Sequence, residues 1–161
     1  MKPNLVLESS ALWNLYYQEK GAELIEMIIE KRDFECYTSR WSTLELFRGI
    51  KKRLNQQEIS LQEAIDLRDF IEADLLELEF ANKLKFIEIH QNIIEISNDL
   101  IFEKNLYAAD ALHLASAITT SSNGILVDDY HFKRLSKEIE QDYDLKIIPT
   151  TIAIDSIYDF I

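Results

Sequence analysis

Three short, unbroken apolar runs constrain this chain more than any other feature. They are Leu5-Val6-Leu7, Ile125-Leu126-Val127 and Ile147-Ile148. Apolar side chains at consecutive positions alternate between the faces of a strand, so each run needs cover on both sides. That requirement is met by a mainly parallel sheet flanked by helices. The rest of the chain supplies such helices. Leu24, Ile25, Ile28 and Ile29 are spaced as one helical face within residues 22–31. Ser60 and Glu63 form a capping-box pair ahead of a helix reaching about Phe80.

The alternation continues along the chain. Ser9-Ser10 can cap a helix running to about Gln18, and Gly21 breaks the chain. Residues 34–37 read as a strand, and Thr38-Ser39 as caps for a helix through Leu54. Residues 86–89 read as a third strand, followed by helices over about 92–103 and 108–120. A short helix over 131–139 precedes the last strand, which Pro149 stops. The expected fold is a three-layer α/β/α sandwich with a mainly parallel central sheet, in one domain spanning 1–161. Three glycines and two prolines leave little room for long linkers. The lone Cys36 excludes an internal disulfide and fits a core position in a protein of the reducing cytoplasm. No secretory leader and no apolar run of about 20 residues is evident, so no membrane association is expected.

A parallel sheet gathers ligands at the carboxyl ends of its strands. Four acids fall at that edge or in the helices beside it. Glu8 follows the first strand, Glu45 lies in the helix after the second, Asp110 opens an apolar helix, and Asp129 follows the strand 125–127. Carboxylates gathered without matching bases suit hard divalent cations, which serve phosphodiester chemistry. Asp128 is a second candidate for the last position. His113 lies three residues after Asp110, on the same helical face. It is expected to pack against the sheet and orient its neighbours, with a general-acid role as the other reading. Ser10 and Ser39 could hydrogen-bond a carboxylate or a metal-bound water, or simply cap helices. Trp13, Tyr16, Trp41 and Phe47 are expected in the core or at a dimer surface rather than as base-stacking platforms.

The net charge of −12 looks wrong for a nucleic-acid partner, but it is unevenly distributed. Residues 58–103 carry twelve acidic residues against three basic ones, while residues 31–54 carry seven basic against three acidic. Arg40, Arg48, Lys51, Lys52 and Arg53 lie near Glu45 in sequence. They form either a solvated helix face or a phosphate-binding strip beside the carboxylates.

Four segments carry a family resemblance. Leu7-Glu8-Ser9-Ser10-Ala11-Leu12 resembles the opening motif of PIN domains, in which aspartate usually stands at the Glu8 position. The segment from Thr38 to Glu45 resembles the second motif, with Glu45 as its acid. Ala109-Asp110-Ala111-Leu112-His113-Leu114-Ala115 resembles the third, and Ile125 to Asp129 the fourth. Together they cover residues 4–149 and are similar to the compact VapC-type toxins of toxin–antitoxin pairs. The resemblance implies a metal-dependent endoribonuclease, with Glu8, Glu45, Asp110 and Asp129 as catalytic, metal-binding residues for Mg²⁺ or Mn²⁺. It further implies an RNA substrate, a cognate antitoxin and a homodimer. Because Glu8 is one methylene longer than the usual aspartate, a second reading is a catalytically weakened binding or assembly module. A phosphoacceptor receiver domain fits less well, since Lys146 begins the last strand rather than ending it.

Overall fold

In the computed structural model, residues 2–128 and 130–161 are described. Five strands form one parallel sheet: β1 (Asn4–Leu7), β2 (Glu35–Ser39), β3 (Lys85–Ile87), β4 (Gly124–Val127) and β5 (Lys146–Pro149). Their spatial order is β3-β2-β1-β4-β5. The helices are α1 (Ser9–Tyr17), α2 (Ala22–Lys31), α3 (Trp41–Asn55), α4 (Leu61–Phe80), α5 (Gln91–Lys104), α6 (Ala108–Thr119), α7 (Tyr130–Arg134), α8 (Ser136–Tyr143) and α9 (Ile157–Phe160). The expected α/β/α sandwich is therefore present. Among the described residues, no helix is long and apolar enough to cross a membrane.

The apolar runs explain the layering. Leu5 and Leu7 join Leu126, Ile148 and Cys36 in a core against α1–α4. Val6 points the other way and joins Ile125, Val127 and Ile147 in a second core against α5–α8. This is the period-two alternation of strands buried on both faces. Burying such a side chain fully is worth about 1.5–3 kcal/mol, so each strand is held from both sides. Cys36 is buried, and that burial pushes its thiol up to about 12, which removes it as a nucleophile at neutral pH.

Several local expectations shift. Glu8 itself caps α1, accepting from the Ser10 N–H at 2.8 Å, in place of Ser9 or Ser10. Strand β2 runs on through Thr38 and Ser39, because the Thr38 hydroxyl is satisfied by donating to the Leu7 carbonyl at 2.8 Å across the sheet. Arg40 then takes the position before α3 without a side-chain cap. The Ser60–Glu63 capping box opens α4 as expected. The helix expected over 131–139 is two helices, α7 and α8, and a further helix, α9, follows β5.

The topology positions the site. The chain leaves β1 for β2 and β3 on one side, then crosses to β4 and β5 on the other. The seam between β1 and β4 is a topological switch point, where loops diverge and leave a crevice at the carboxyl edge.

Candidate metal centre

Glu8 extends the β1 ladder by one step, its N–H donating to the Leu126 carbonyl at 3.1 Å. The residue is 4 % exposed. The carboxylate accepts from the Ser10 N–H and from the hydroxyls of Ser9 and Ser10. The Ser10 hydroxyl in turn accepts from the Asp128 N–H at 2.8 Å. Ser10 therefore ties the Glu8 carboxylate to the end of β4. Such a charge-assisted network holds a buried carboxylate in one rotamer.

Glu45 enters from α3, one turn past its start. Its carboxylate meets Nε2 of His113, which comes from α6 and is fully buried. The same nitrogen lies 3.6 Å from Glu8 Oε1. One ligand atom each from Glu8, Glu45 and His113 falls within 4.8 Å of the others. Burial works against charge on the imidazole. The hydrogen bond to Glu45 and the charges of Glu8, Glu45 and Asp110 outweigh it and hold the His113 pKa above its ordinary 6.5. Among the described residues, His113 Nδ1 has no hydrogen-bond partner.

Asp110 stands in the first turn of α6 and lines the same cleft, which also includes Glu8, Ser9, Ser10, Trp13 and Glu45. The cleft has a volume of about 260 Å³. The structure thus brings Glu8, Glu45 and Asp110 to one place. Asp129, the fourth acid of the sequence reading, lies outside the described residues. Asp128 turns elsewhere: its carboxylate meets Lys133 Nζ at 3.2 Å and Asn14 Nδ2 at 3.5 Å. Ser39 also lies off the cleft, accepting from the Trp41 N–H at 3.2 Å.

Two side chains play larger parts than the sequence reading assigned. His113 does orient a neighbour, as expected, but it does so inside the acid cluster and within ligand range. Its three-residue offset from Asp110 was the available signal. Trp13 packs against the core, as expected, and also lines the cleft. Tyr16 donates to Asp74 at 2.8 Å, away from the site.

The donor chemistry fits a divalent cation. Carboxylate oxygens suit Mg²⁺ and Mn²⁺, and an added imidazole nitrogen is better tolerated by Mn²⁺ than by Mg²⁺. The buried Glu8 and the half-buried Glu45 face one cleft, and both favour the protonated form of His113.

Comparison with known proteins bears on the family and the fold. The PIN domain family matches residues 5–138. No curated protein matches the chain. Among solved structures, the chain is similar to a toxin–antitoxin complex from Klebsiella pneumoniae, with 19% identity, a TM-score of 0.57, and 80% of this chain and 89% of that one covered. It is similar to FitAB bound to an IR36 DNA fragment, with 14% identity, a TM-score of 0.63, and 92% and 96% covered. It is also similar to VapBC2 from Rickettsia felis bound to a DNA fragment from its promoter, with 14% identity, a TM-score of 0.58, and 91% and 98% covered. At such identities these likenesses establish the fold, and the family match covers most of the sequence: this chain belongs to the PIN domain family.

Proposed function

We propose that this protein is a metal-dependent endoribonuclease, folded as one unit over residues 1–161, and the toxin of a toxin–antitoxin pair. The observation that carries the reading is the cleft at the carboxyl edge of the sheet. There Glu8 and Glu45 converge within ligand distance, with Asp110 on the wall. Glu8 and Glu45 would hold Mg²⁺ or Mn²⁺, with Asp110 and Asp129 completing the acidic set. A divalent cation bound there lowers the pKa of a coordinated water and offsets negative charge on the scissile phosphate.

The chain's own residues prepare that chemistry. Ser9 and Ser10 fix the Glu8 carboxylate, and His113 fixes Glu45. Asp110, on the cleft wall in the first turn of α6, would add a further carboxylate to the metal's set. The exposed Arg48 and Lys52 follow Glu45 on α3 and can receive backbone phosphates. The antitoxin partner is supported by likeness of fold to toxin–antitoxin complexes, and a homodimer is part of the same proposal.

The test is cleavage of structured RNAs with Mg²⁺, Mn²⁺ or EDTA, beside Asp110→Asn. Cleavage is expected with a divalent cation and is lost in EDTA and in the variant. Cleavage indifferent to both overturns the proposal. One observation favours the weaker-enzyme reading: the Glu8 carboxylate already accepts from two hydroxyls and one N–H. Inactive wild type with active Glu8→Asp would establish that alternative, a binding or assembly module with a dormant site.

A further inference from the structure

Where β4 ends, both polar groups of one peptide unit are held. The Val127 carbonyl accepts from the Thr150 N–H, just past β5, at 3.1 Å. The Asp128 N–H donates to the Ser10 hydroxyl oxygen at 2.8 Å. A planar peptide bonded at its carbonyl and at its N–H cannot turn without breaking a hydrogen bond. The next carbonyl, that of Asp128, lies 3.4 Å from Lys133 Nζ. The chain therefore leaves residue 128 along a set direction.

These anchors are tied to the acid cleft. Ser10 donates its hydroxyl hydrogen to the Glu8 carboxylate, so one side chain joins Glu8 to the end of β4. Asn14, one turn further along α1, is buried and reaches the same end. Its amide donates to the Thr150 hydroxyl at 3.1 Å and to Asp128 Oδ2 at 3.5 Å. Helix α1 thus presents two side chains, four residues apart, to one point of the chain.

The Asp128 side chain completes the hold. Its Oδ1 meets Lys133 Nζ at 3.2 Å while Oδ2 faces Asn14. Both oxygens are committed, one of them to a full positive charge. To take a metal ion, this carboxylate would first have to release the ammonium. Among the described residues, Asp128 belongs neither to the Glu8–Glu45–His113 group nor to the wall of the cleft.

We infer that Asp128 is a positioning residue of the metal centre and not one of its ligands. Ser10, Asn14 and Lys133 hold it, and through it they hold the start of the segment on which Asp129 follows. Its carboxylate serves Lys133 and Asn14, which leaves the fourth acidic place to the next residue in sequence. The inference rests on the proposed metal-dependent reading of the cleft. Groups that orient ligands without touching the metal typically change metal affinity by about 10–100-fold when removed.

The experiment titrates the full chain with Mn²⁺ alone, reading bound Mn²⁺ by calorimetry and by the loss of the free-ion EPR signal. Thermal unfolding without metal checks that each variant folds. Glu45→Gln removes a ligand and is expected to bind at least roughly tenfold more weakly. Asp128→Asn keeps an oxygen for Lys133 and is expected to bind within about threefold of the parent, whereas Asp128→Ala binds about tenfold more weakly. The alanine variant should nonetheless show little change in Tm, because the pair it breaks is half-exposed. Lys133→Met supplies a difference of sign. Removing an ammonium that competes for a ligand would tighten Mn²⁺ binding, while removing the brace of a positioning residue weakens it. Arg134→Met is the reference, since it makes the same charge change one residue along, where the guanidinium reaches the Asn105 carbonyl. Lys133→Met is expected to bind more weakly than Arg134→Met. The positioning role is overturned, with the metal reading intact, if Asp128→Asn binds as weakly as Glu45→Gln. The same holds if Lys133→Met binds as tightly as Arg134→Met or more so, or if Asp128→Ala matches the parent. A parent that binds no Mn²⁺, or a Glu45→Gln variant that binds as the parent does, removes the metal reading itself.

Discussion

Replacing His113 by leucine tests the electrostatic logic of the site most directly. The wild-type imidazole is fully buried, hydrogen-bonded to Glu45 and 3.6 Å from Glu8. At an effective dielectric of about 20, one opposite charge at that range is worth about 4 kcal/mol, most of which offsets the cost of taking the charges out of water. Removing one partner of such a group leaves the others uncompensated and typically costs about 3–5 kcal/mol. In a domain of this size that lowers Tm by roughly 6–20 °C. The loss should depend on pH. Because the folded-state pKa of His113 is raised, its contribution is complete below about 6.5 and fades as the pH climbs through the raised value. The difference between wild type and His113→Leu is therefore expected to be largest below about pH 6.5 and to narrow as the pH rises through the raised value. Mg²⁺ should stabilise the wild type more as pH rises, since the proton on His113 competes with the cation. It should also restore part of the stability lost in His113→Leu, by supplying the missing charge. Thermal unfolding across that pH range, with and without Mg²⁺, reads all of this. A difference that stays constant with pH and ignores Mg²⁺ would refute the argument and reduce His113 to a packing residue.

Two further perturbations probe the scaffold. Ser60→Ala removes the hydroxyl that accepts from Glu63 N–H at 3.2 Å, and should cost about 1 kcal/mol in urea unfolding with the slope unchanged. Asn14 is buried and donates to the Lys20 carbonyl and the Thr150 hydroxyl, both at 3.1 Å. Asn14→Leu leaves those acceptors unpaired, with an expected loss of about 1–3 kcal/mol and weakened protection from hydrogen exchange at the end of β5.

Much of the architecture was legible because it rests on local patterns. The runs at Leu5–Leu7 and Ile125–Val127 could only be strands covered on both faces, and the structure divides them between two cores. The Ser60–Glu63 box marked a helix start through chemistry contained within four residues. Thr38 and Ser39 read as helix caps, yet they end β2. A long-range bond from Thr38 to Leu7, thirty-one residues away, decided for strand. The break between α7 and α8 likewise carried no proline or glycine to announce it.

The site divides in the same way. The acids could be assembled in advance because a parallel sheet sends its carboxyl ends to one edge whatever the details of packing, and Glu8 and Glu45 meet there with Asp110 beside them. Side-chain direction was another matter. Whether His113 faced the sheet or the acids depended on the rotation of α6 about its own axis. Whether Trp13, packed on the core, also reached the cleft depended on how closely α1 approaches α3 at Gly49. Periodicity and strand order are properties of the chain taken a few residues at a time, and the sequence states them. The partner that each buried polar or aromatic group meets is set by helices packing across distances of many residues, and only the tertiary structure decides it.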